Sequence, residues 1–399
     1  MLGKRGQLLG SKPQATMTAE KQDRTPADNV SQSLGFPNED QEFWWRATAV
    51  SLGRLLANCR YSEEGQVTHL RWYHRFIIEA LGPRPIPGVK PRFQPCPVFD
   101  GSACELSVNW KESTPERTVR FTIEATGFDA GTEADPFNQD ETKVLLRKMA
   151  RETPDIDLRR FDYFASKLFL SSQEAKTVVR KIPPGTPLSQ VWVAFDLLDG
   201  KIMPKVYFMP VLKWISTDIP SKTLVLDLAR GCNGAYGNFD ASVDILNSYL
   251  NSFPPREAPV VEMVAIDCID SPKSRIKIYL RTSVNTLARA KRAFTLGGRL
   301  SGDVIDEGLQ ALASLWPILF RLPSDHDVED VEVFRDGSYC GNAIEMKPGH
   351  AEPEVKIHIP VSKIPGTDAQ ICESLSAWFR LRGHDQFAAD YQKDLAAAL

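Results

Sequence analysis

No apolar run in the 399-residue chain approaches the ~20 residues that a membrane-spanning helix needs, so no membrane partner is expected. Cysteine is sparse. The seven residues, at positions 59, 96, 104, 232, 268, 340 and 372, are odd in number and never spaced C-x-x-C. That pattern supports neither a disulfide framework nor a zinc site and makes the cytoplasm the expected compartment. Charge of neither sign dominates. With 48 Lys and Arg against 51 Asp and Glu, the net charge is −3, which gives no electrostatic reason to expect nucleic acid. Residues 1–35 lack the apolar core of a secretory signal and read as a disordered tail. Residues 36–399 are then left to form one domain.

What is present is a hydrophobic content of 42%, enough for a large core, and an alternation of elements. Helical spacing covers residues 38–58 and 62–81, and a Pro-rich loop follows over residues 83–97. Period-two segments at residues 104–110 and 118–125 predict a strand hairpin. Helices are expected at 139–151 and 158–170, then strands at 191–197 and 204–211. A long irregular connection leads to a helix at 239–251 and a hairpin at 260–268 and 274–282. Helices at 286–294 and 304–315, strands at 328–334, 343–347 and 355–361, and helices at 368–382 and 384–395 complete the chain. Hairpins interleaved with helices disfavour a doubly wound parallel sheet. They suit an α+β barrel of antiparallel strands, with apolar faces outward against helices and polar faces lining a lumen.

The inner faces carry an unusual composition. Along Arg275-Ile276-Lys277-Ile278-Tyr279-Leu280-Arg281, the aliphatic residues share one face, while three cations and a tyrosine share the other. Like charges in one row repel, so an anion is expected opposite them. A cation followed two residues later by an aromatic ring recurs as Lys205/Tyr207, Lys277/Tyr279 and Lys356/His358. Arg and Lys hold diphosphate oxygens, and a ring further along the same face offers its π surface to a carbocation. Arg120 belongs to the same inner face, and Glu105 adds a lone carboxylate able to accept a hydrogen bond from an N–H or O–H. Solvated strand faces with salt bridges are the alternative reading of any one of these strands.

Taken together, several stretches resemble the fungal dimethylallyltryptophan-synthase-type aromatic prenyltransferases. They are Phe43-Trp44-Trp45-Arg46, Tyr61-Ser62, Ala80-Leu81-Gly82-Pro83, Cys104-Glu105-Leu106-Ser107-Val108-Asn109-Trp110, Val119-Arg120-Phe121-Thr122, Pro204-Lys205-Val206-Tyr207-Phe208-Met209-Pro210, residues 274–282, and Glu354-Val355-Lys356-Ile357-His358-Ile359-Pro360. The resemblance implies the αββα prenyltransferase barrel, ten antiparallel strands around a lumen. It also implies that Arg120, Lys205, Arg275, Lys277, Lys356 and Arg382 grip a prenyl diphosphate, and that Tyr207, Tyr279 and Tyr391 shield the allyl cation. Glu105 would orient the acceptor. The implied reaction is a Friedel–Crafts alkylation in fungal secondary metabolism that needs no metal or other cofactor. The chain has no adjacent-aspartate D-D-x-x-D motif; the acidic run at residues 325–330 reads as a solvated loop.

Three positions depart from the family pattern. His358 stands where a shield tyrosine is expected and could also act as a base. Trp192 replaces a lysine proposed to take the ring proton, and Phe387 replaces another tyrosine. These departures favour an indole-containing or phenolic acceptor other than free tryptophan. The small residues Gly341, Asn342 and Ala343 fall where the resemblance implies a limit on prenyl length, so a donor longer than five carbons is expected to fit. A non-catalytic barrel that carries a prenyl diphosphate-like anion is the competing expectation, and a homodimer is left open.

Overall fold

The computed structural model describes residues 25–398 apart from 99–101, 112–113, 184–185, 187, 235–236, 271, 324–326 and 335. The chain begins with helices α1 (Pro26–Ser33), α2 (Glu39–Asn58) and α3 (Glu63–Ala80), followed by the hairpin β1 (Cys104–Lys111) and β2 (Thr114–Ile123). Helices α4 (Asp140–Glu152), α5 (Arg159–Leu168) and α6 (Ser172–Lys181) lead to β3 (Val191–Leu198) and β4 (Lys201–Phe208). Helices α7 (Val211–Thr217), α8 (Ser221–Arg230) and α9 (Asp240–Asn251) precede β5 (Val260–Asp267) and β6 (Ile276–Val284). Helices α10 (Leu287–Phe294) and α11 (Asp303–Leu319), strands β7 (Cys340–Met346) and β8 (Glu354–His358), and helices α12 (Asp368–Leu381) and α13 (Asp385–Ala398) finish the fold.

The eight strands form one antiparallel sheet in sequential order from β1 to β8. It curls around a lumen. Arg120 on β2 lowers the pKa of the Tyr279 phenol on β6, although burial and other neighbours raise it overall. In a flat sheet, four strand spacings of about 4.8 Å would hold those strands ~19 Å apart. Helices cover the outside and carry the layer from β8 through α10, α11, α12 and α13 to α2 and β1. Trp110 of β1 stacks on Phe387 of α13, with centroids 4.8 Å apart and planes at 21°.

Alternation explains which face each strand buries. On β6, Ile276, Ile278 and Leu280 are buried outward, while Lys277 and Tyr279 are only half-buried. Phe121 and Phe195 lie 4.9 Å apart behind β2 and β3 and pack on Trp72 of α3. A fully buried ring of this kind contributes roughly 1.5–3 kcal/mol. The Tyr61 hydroxyl accepts from Val119 N at 3.0 Å and donates to Leu197 O, tying β2 to β3 where those residues pair. Gly82 ends the α3 segment at φ +71, and a Cβ there would meet Thr126 O at 2.3 Å, so the Gly82-Pro83 stop signal also permits close approach of the segment that follows β2.

Four expectations are corrected. The sheet has eight strands among the described residues, not ten. Residues 328–334 form no strand, because Asn285 draws that segment into side-chain contacts. Its Oδ1 accepts from Val333 N and Phe334 N, and its Nδ2 donates to Phe334 O. The connection after β4 is not irregular but holds α7 and α8. From Thr25 onward the tail is ordered. Thr25 and Asp28 form a capping box, Val30 is buried, and Ser31 Oγ accepts from Trp45 Nε1 at 3.0 Å. Residues 1–24 lie outside the described residues, as do residues 325 and 326 of the acidic run.

Candidate active site

The strand-borne cations expected in the lumen converge, and they do so on carboxylates. Arg120 Nε lies 2.9 Å from Asp196 Oδ1, and the Lys205 ammonium bonds the other oxygen of the same group. Arg275, just before β6, reaches Asp267 through Nε and Glu345 through Nη1, both at 2.9 Å. Lys277 and Lys356 each lie 3.1 Å from Glu345 Oε2. Five cations thus face three carboxylates and leave an excess of two positive charges on one wall.

These pairs are deeply placed. Lys205, Asp196, Asp267 and Glu345 are buried. Burial pushes Glu345 up, but Lys277, Lys356 and Arg275 outweigh it and hold the carboxyl at about 2. Burial works against the charged form of Arg275, and Asp267 and Glu345 overcome it, so its pKa is raised. Lys205 is pulled down to about 8 by burial, which Asp196 only partly offsets and Arg120 reinforces. Lys277 is lowered by burial and by the Arg275 charge.

One step along the strands from the cations lies a line of rings. Tyr207 and Tyr279 have centroids 5.6 Å apart, and Tyr279 and His358 5.7 Å apart. Burial and the Lys356 and Lys277 charges lower the His358 pKa, which keeps its imidazole neutral at neutral pH. A neutral ring does not repel a cation beside it. Glu105 pairs across β1 and β2 with Thr122 and is near enough to Tyr207 to raise its pKa. Its side chain is exposed to the lumen, yet the surrounding protein desolvates it and raises its pKa against a hydrogen bond from Thr122.

Other expected residues are carried by the closing helices or lie further along the strands. Arg382 caps the C-terminus of α12 with its guanidinium 5.9 Å from the Trp378 ring centroid. Tyr391 packs between Phe379 and Phe387 in the closing helices, whereas the five clustered cations are borne by or adjoin strands. Phe387 lies beneath the Arg117 guanidinium at 4.7 Å. Arg281 pairs with Glu262 at 3.0 Å, beyond the rings. Gly341 and Ala343 share the lumen face opposite His358 and Lys356, but Asn342 is buried on the other face, paired with Leu280 and Ile357. Among the described residues, no group of three His, Cys, Asp or Glu side chains could hold a metal ion.

Sequence reasoning missed Asp267 and Glu345, and it placed Asp196 in the lumen without a role. The available signal was a lone acid at lumen parity on an otherwise apolar strand, which requires a cationic partner when buried.

Residues 40–394 match the family model described as tryptophan dimethylallyltransferase. The chain is 38% identical to prenyltransferase iacE of Pestalotiopsis fici, over 92% of this chain and 85% of the relative. Among solved structures, AnaPT from Neosartorya fischeri superposes with a TM-score of 0.82 at 30% identity, covering 94% of this chain and 89% of that one. NotF, solved in complex with brevianamide F and DMSPP, superposes at 0.79 and 25% identity, covering 94% and 90%. The chain belongs to the tryptophan dimethylallyltransferase family and is an aromatic prenyltransferase with the αββα barrel fold.

Proposed function

We propose that the lumen binds dimethylallyl diphosphate with its diphosphate on Arg120, Lys205, Arg275, Lys277 and Lys356, and with its allyl group against Tyr207, Tyr279 and His358. The observation that carries this reading is the position of the rings directly beside a wall of excess positive charge. Cleavage of the allylic C–O bond leaves the electron pair on diphosphate, where the cations stabilise it. The rings stabilise the allyl cation without supplying a strong nucleophile. An electron-rich carbon of the acceptor ring then forms the new C–C bond, and loss of its proton restores aromaticity. Glu105 holds the acceptor through its N–H or O–H.

The acceptor we infer is an indole other than free tryptophan, since Trp192 stands where tryptophan prenylators carry a lysine that takes the ring proton. Gly341 and Ala343 give a donor longer than dimethylallyl room opposite the rings. We infer a cytoplasmic enzyme from the seven scattered cysteines, which offer no disulfide framework.

Incubating the protein with dimethylallyl diphosphate and a panel of indoles and phenols, with and without EDTA, tests this function by the mass of the product. A prenylated indole formed equally in EDTA is expected, as is its loss in Arg275→Ala. Tight donor binding with no product from any acceptor would identify a carrier, and loss of product in EDTA would overturn the metal-free reaction.

A further inference from the structure

A further buried carboxyl lies on the lumen wall, and unlike Asp196, Asp267 and Glu345 it has no cation among its hydrogen-bond partners. Glu124 follows β2 at the same parity as Arg120 and Thr122, and it is only 1% exposed. Its Oε2 accepts from Ser189 Oγ at 2.6 Å and from Cys96 N at 3.1 Å, and Cys96 Sγ lies 2.9 Å from Ser189 Oγ. Its Oε1 is buried without a hydrogen bond.

Across the strands stands Trp192. The last registered pair of β2 and β3 is Ile123 with Val193, so Glu124 and Trp192 face one another one step further on. The indole Nε1 is buried and has no well-formed hydrogen bond, yet it is close enough to lower the pKa of the Glu124 carboxyl, which burial raises overall. A buried donor without another partner thus meets a buried carboxyl oxygen that, besides the indole, only the Asn138 side chain approaches. Each would cost free energy alone.

The position gives the contact a use. Trp192 shares the inner face of β3 with Asp196, is half-buried, and pairs across β3 and β4 with Tyr207. In strand order it therefore lies between Glu105 on β1 and the Tyr207–Tyr279–His358 rings. We propose that Glu124 is a positioning residue that fixes the Trp192 indole as the wall between the acceptor anchor Glu105 and the cation-shielding rings. The network of Ser189 Oγ and Cys96 N holds the carboxyl from behind. The indole in turn limits how an acceptor ring approaches the allyl cation. This rests on the acceptor lying at the Glu105 end of the lumen.

A double-mutant cycle of Glu124→Gln and Trp192→Phe tests it, with dimethylallyl diphosphate as donor and L-tryptophan, L-tyrosine and a tryptophan-containing cyclic dipeptide as acceptor probes. For the probe turned over fastest, Glu124→Gln should raise the acceptor KM about tenfold or redistribute the ring positions prenylated, with donor KM within about twofold. In the Trp192→Phe background the same change should have less than about a twofold effect. An equal effect in both backgrounds overturns the proposal. In parallel, the enzyme labelled with 5-fluorotryptophan gives a 19F line for each of its eight tryptophans, and the line lost in Trp192→Phe is that of Trp192. In Glu124→Gln that line should broaden or split while the other seven remain sharp; a single sharp line overturns the proposal. If no probe is prenylated, the acceptor reading fails and the 19F result still decides the positioning role. Should Glu124→Gln not fold, Ser189→Ala replaces it in both measurements with the same outcomes.

Discussion

Lys277 and Lys356, on strands separated by β7, meet at one atom: each ammonium lies 3.1 Å from Glu345 Oε2. Arg275 takes the other oxygen at 2.9 Å. A single buried carboxylate therefore gathers three cations that would otherwise repel one another. In the proposed diphosphate site these side chains are already held in place by ion pairs, so less of the donor's binding energy would go into ordering them.

Glu345→Gln should destabilise the fold by about 3 kcal/mol at pH 7, since removing one partner leaves buried charge unpaired. The sign of the pH dependence follows from the carboxyl being held at about 2, below its ordinary 4.5. Its contribution is complete above pH 4.5 and is lost as pH falls through about 2, so the gap between variant and wild type should close in that window. Inorganic diphosphate should raise the melting temperature more in the variant than in the wild type, because the anion supplies the missing negative charge. Thermal unfolding with and without diphosphate measures both. Equal ligand-induced shifts would mean that the anion binds elsewhere.

The buried Lys205 should make donor capture pH-dependent. Its pKa of about 8 means that the free enzyme loses one cradle cation as pH rises through that value. The kcat/KM for dimethylallyl diphosphate reports the free enzyme, and it should fall above pH 8 toward a plateau about 10- to 100-fold lower, the equivalent of one charged hydrogen bond. Lys205→Arg keeps its charge and should flatten the alkaline limb. A flat wild-type profile from pH 7 to 10 would remove Lys205 from the diphosphate site.

Glu105→Ala should raise the acceptor KM about tenfold, the loss of a hydrogen bond worth ~1.4 kcal/mol, and leave donor KM unchanged. Because burial raises the Glu105 pKa, the wild-type acceptor KM should itself begin to climb on acidification at a higher pH than an ordinary carboxylate would require. Initial rates at varied acceptor, followed from pH 8 downward, separate the two effects. A rise in donor KM instead would place Glu105 on the diphosphate.

The cations and rings were legible because period-two alternation sorts them onto one face, whatever the barrel does with that face. Their carboxylate partners were not. Asp267 ends β5 and Glu345 sits on β7, so each meets its cation across strands that are neighbours in the sheet but separated in sequence by at least one loop. Residues 328–334 looked like a strand because Val328, Val331 and Val333 have the right character. Only the tertiary position of Asn285 decides that their backbone bonds go elsewhere. Glu124 has the parity of a lumen residue, but its burial depends on the loop that brings Cys96 N and on Ser189 before β3. Local pattern reports which face a residue shares. It does not report what a loop later lays across it.

Tyr279 separates the two roles of the wall, since its ring lies between Tyr207 and His358 and its hydroxyl is not one of the cradle's charges. Tyr279→Phe keeps the π face and should cost only a few-fold in kcat. Tyr279→Leu keeps much of the apolar bulk and loses the face; the loss of about 2 kcal/mol of cation stabilisation corresponds to ~30-fold in kcat. Donor KM should change little in either variant, because the positive charge exists only once the C–O bond is breaking. With the cation less shielded, more of it should also be trapped by water, so Tyr279→Leu should release more dimethylallyl alcohol per prenylated product. Quantifying alcohol and product in the same reaction checks this directly. Equal rates and equal alcohol yields in the Phe and Leu variants would show that Tyr279 acts by filling space rather than by facing a cation.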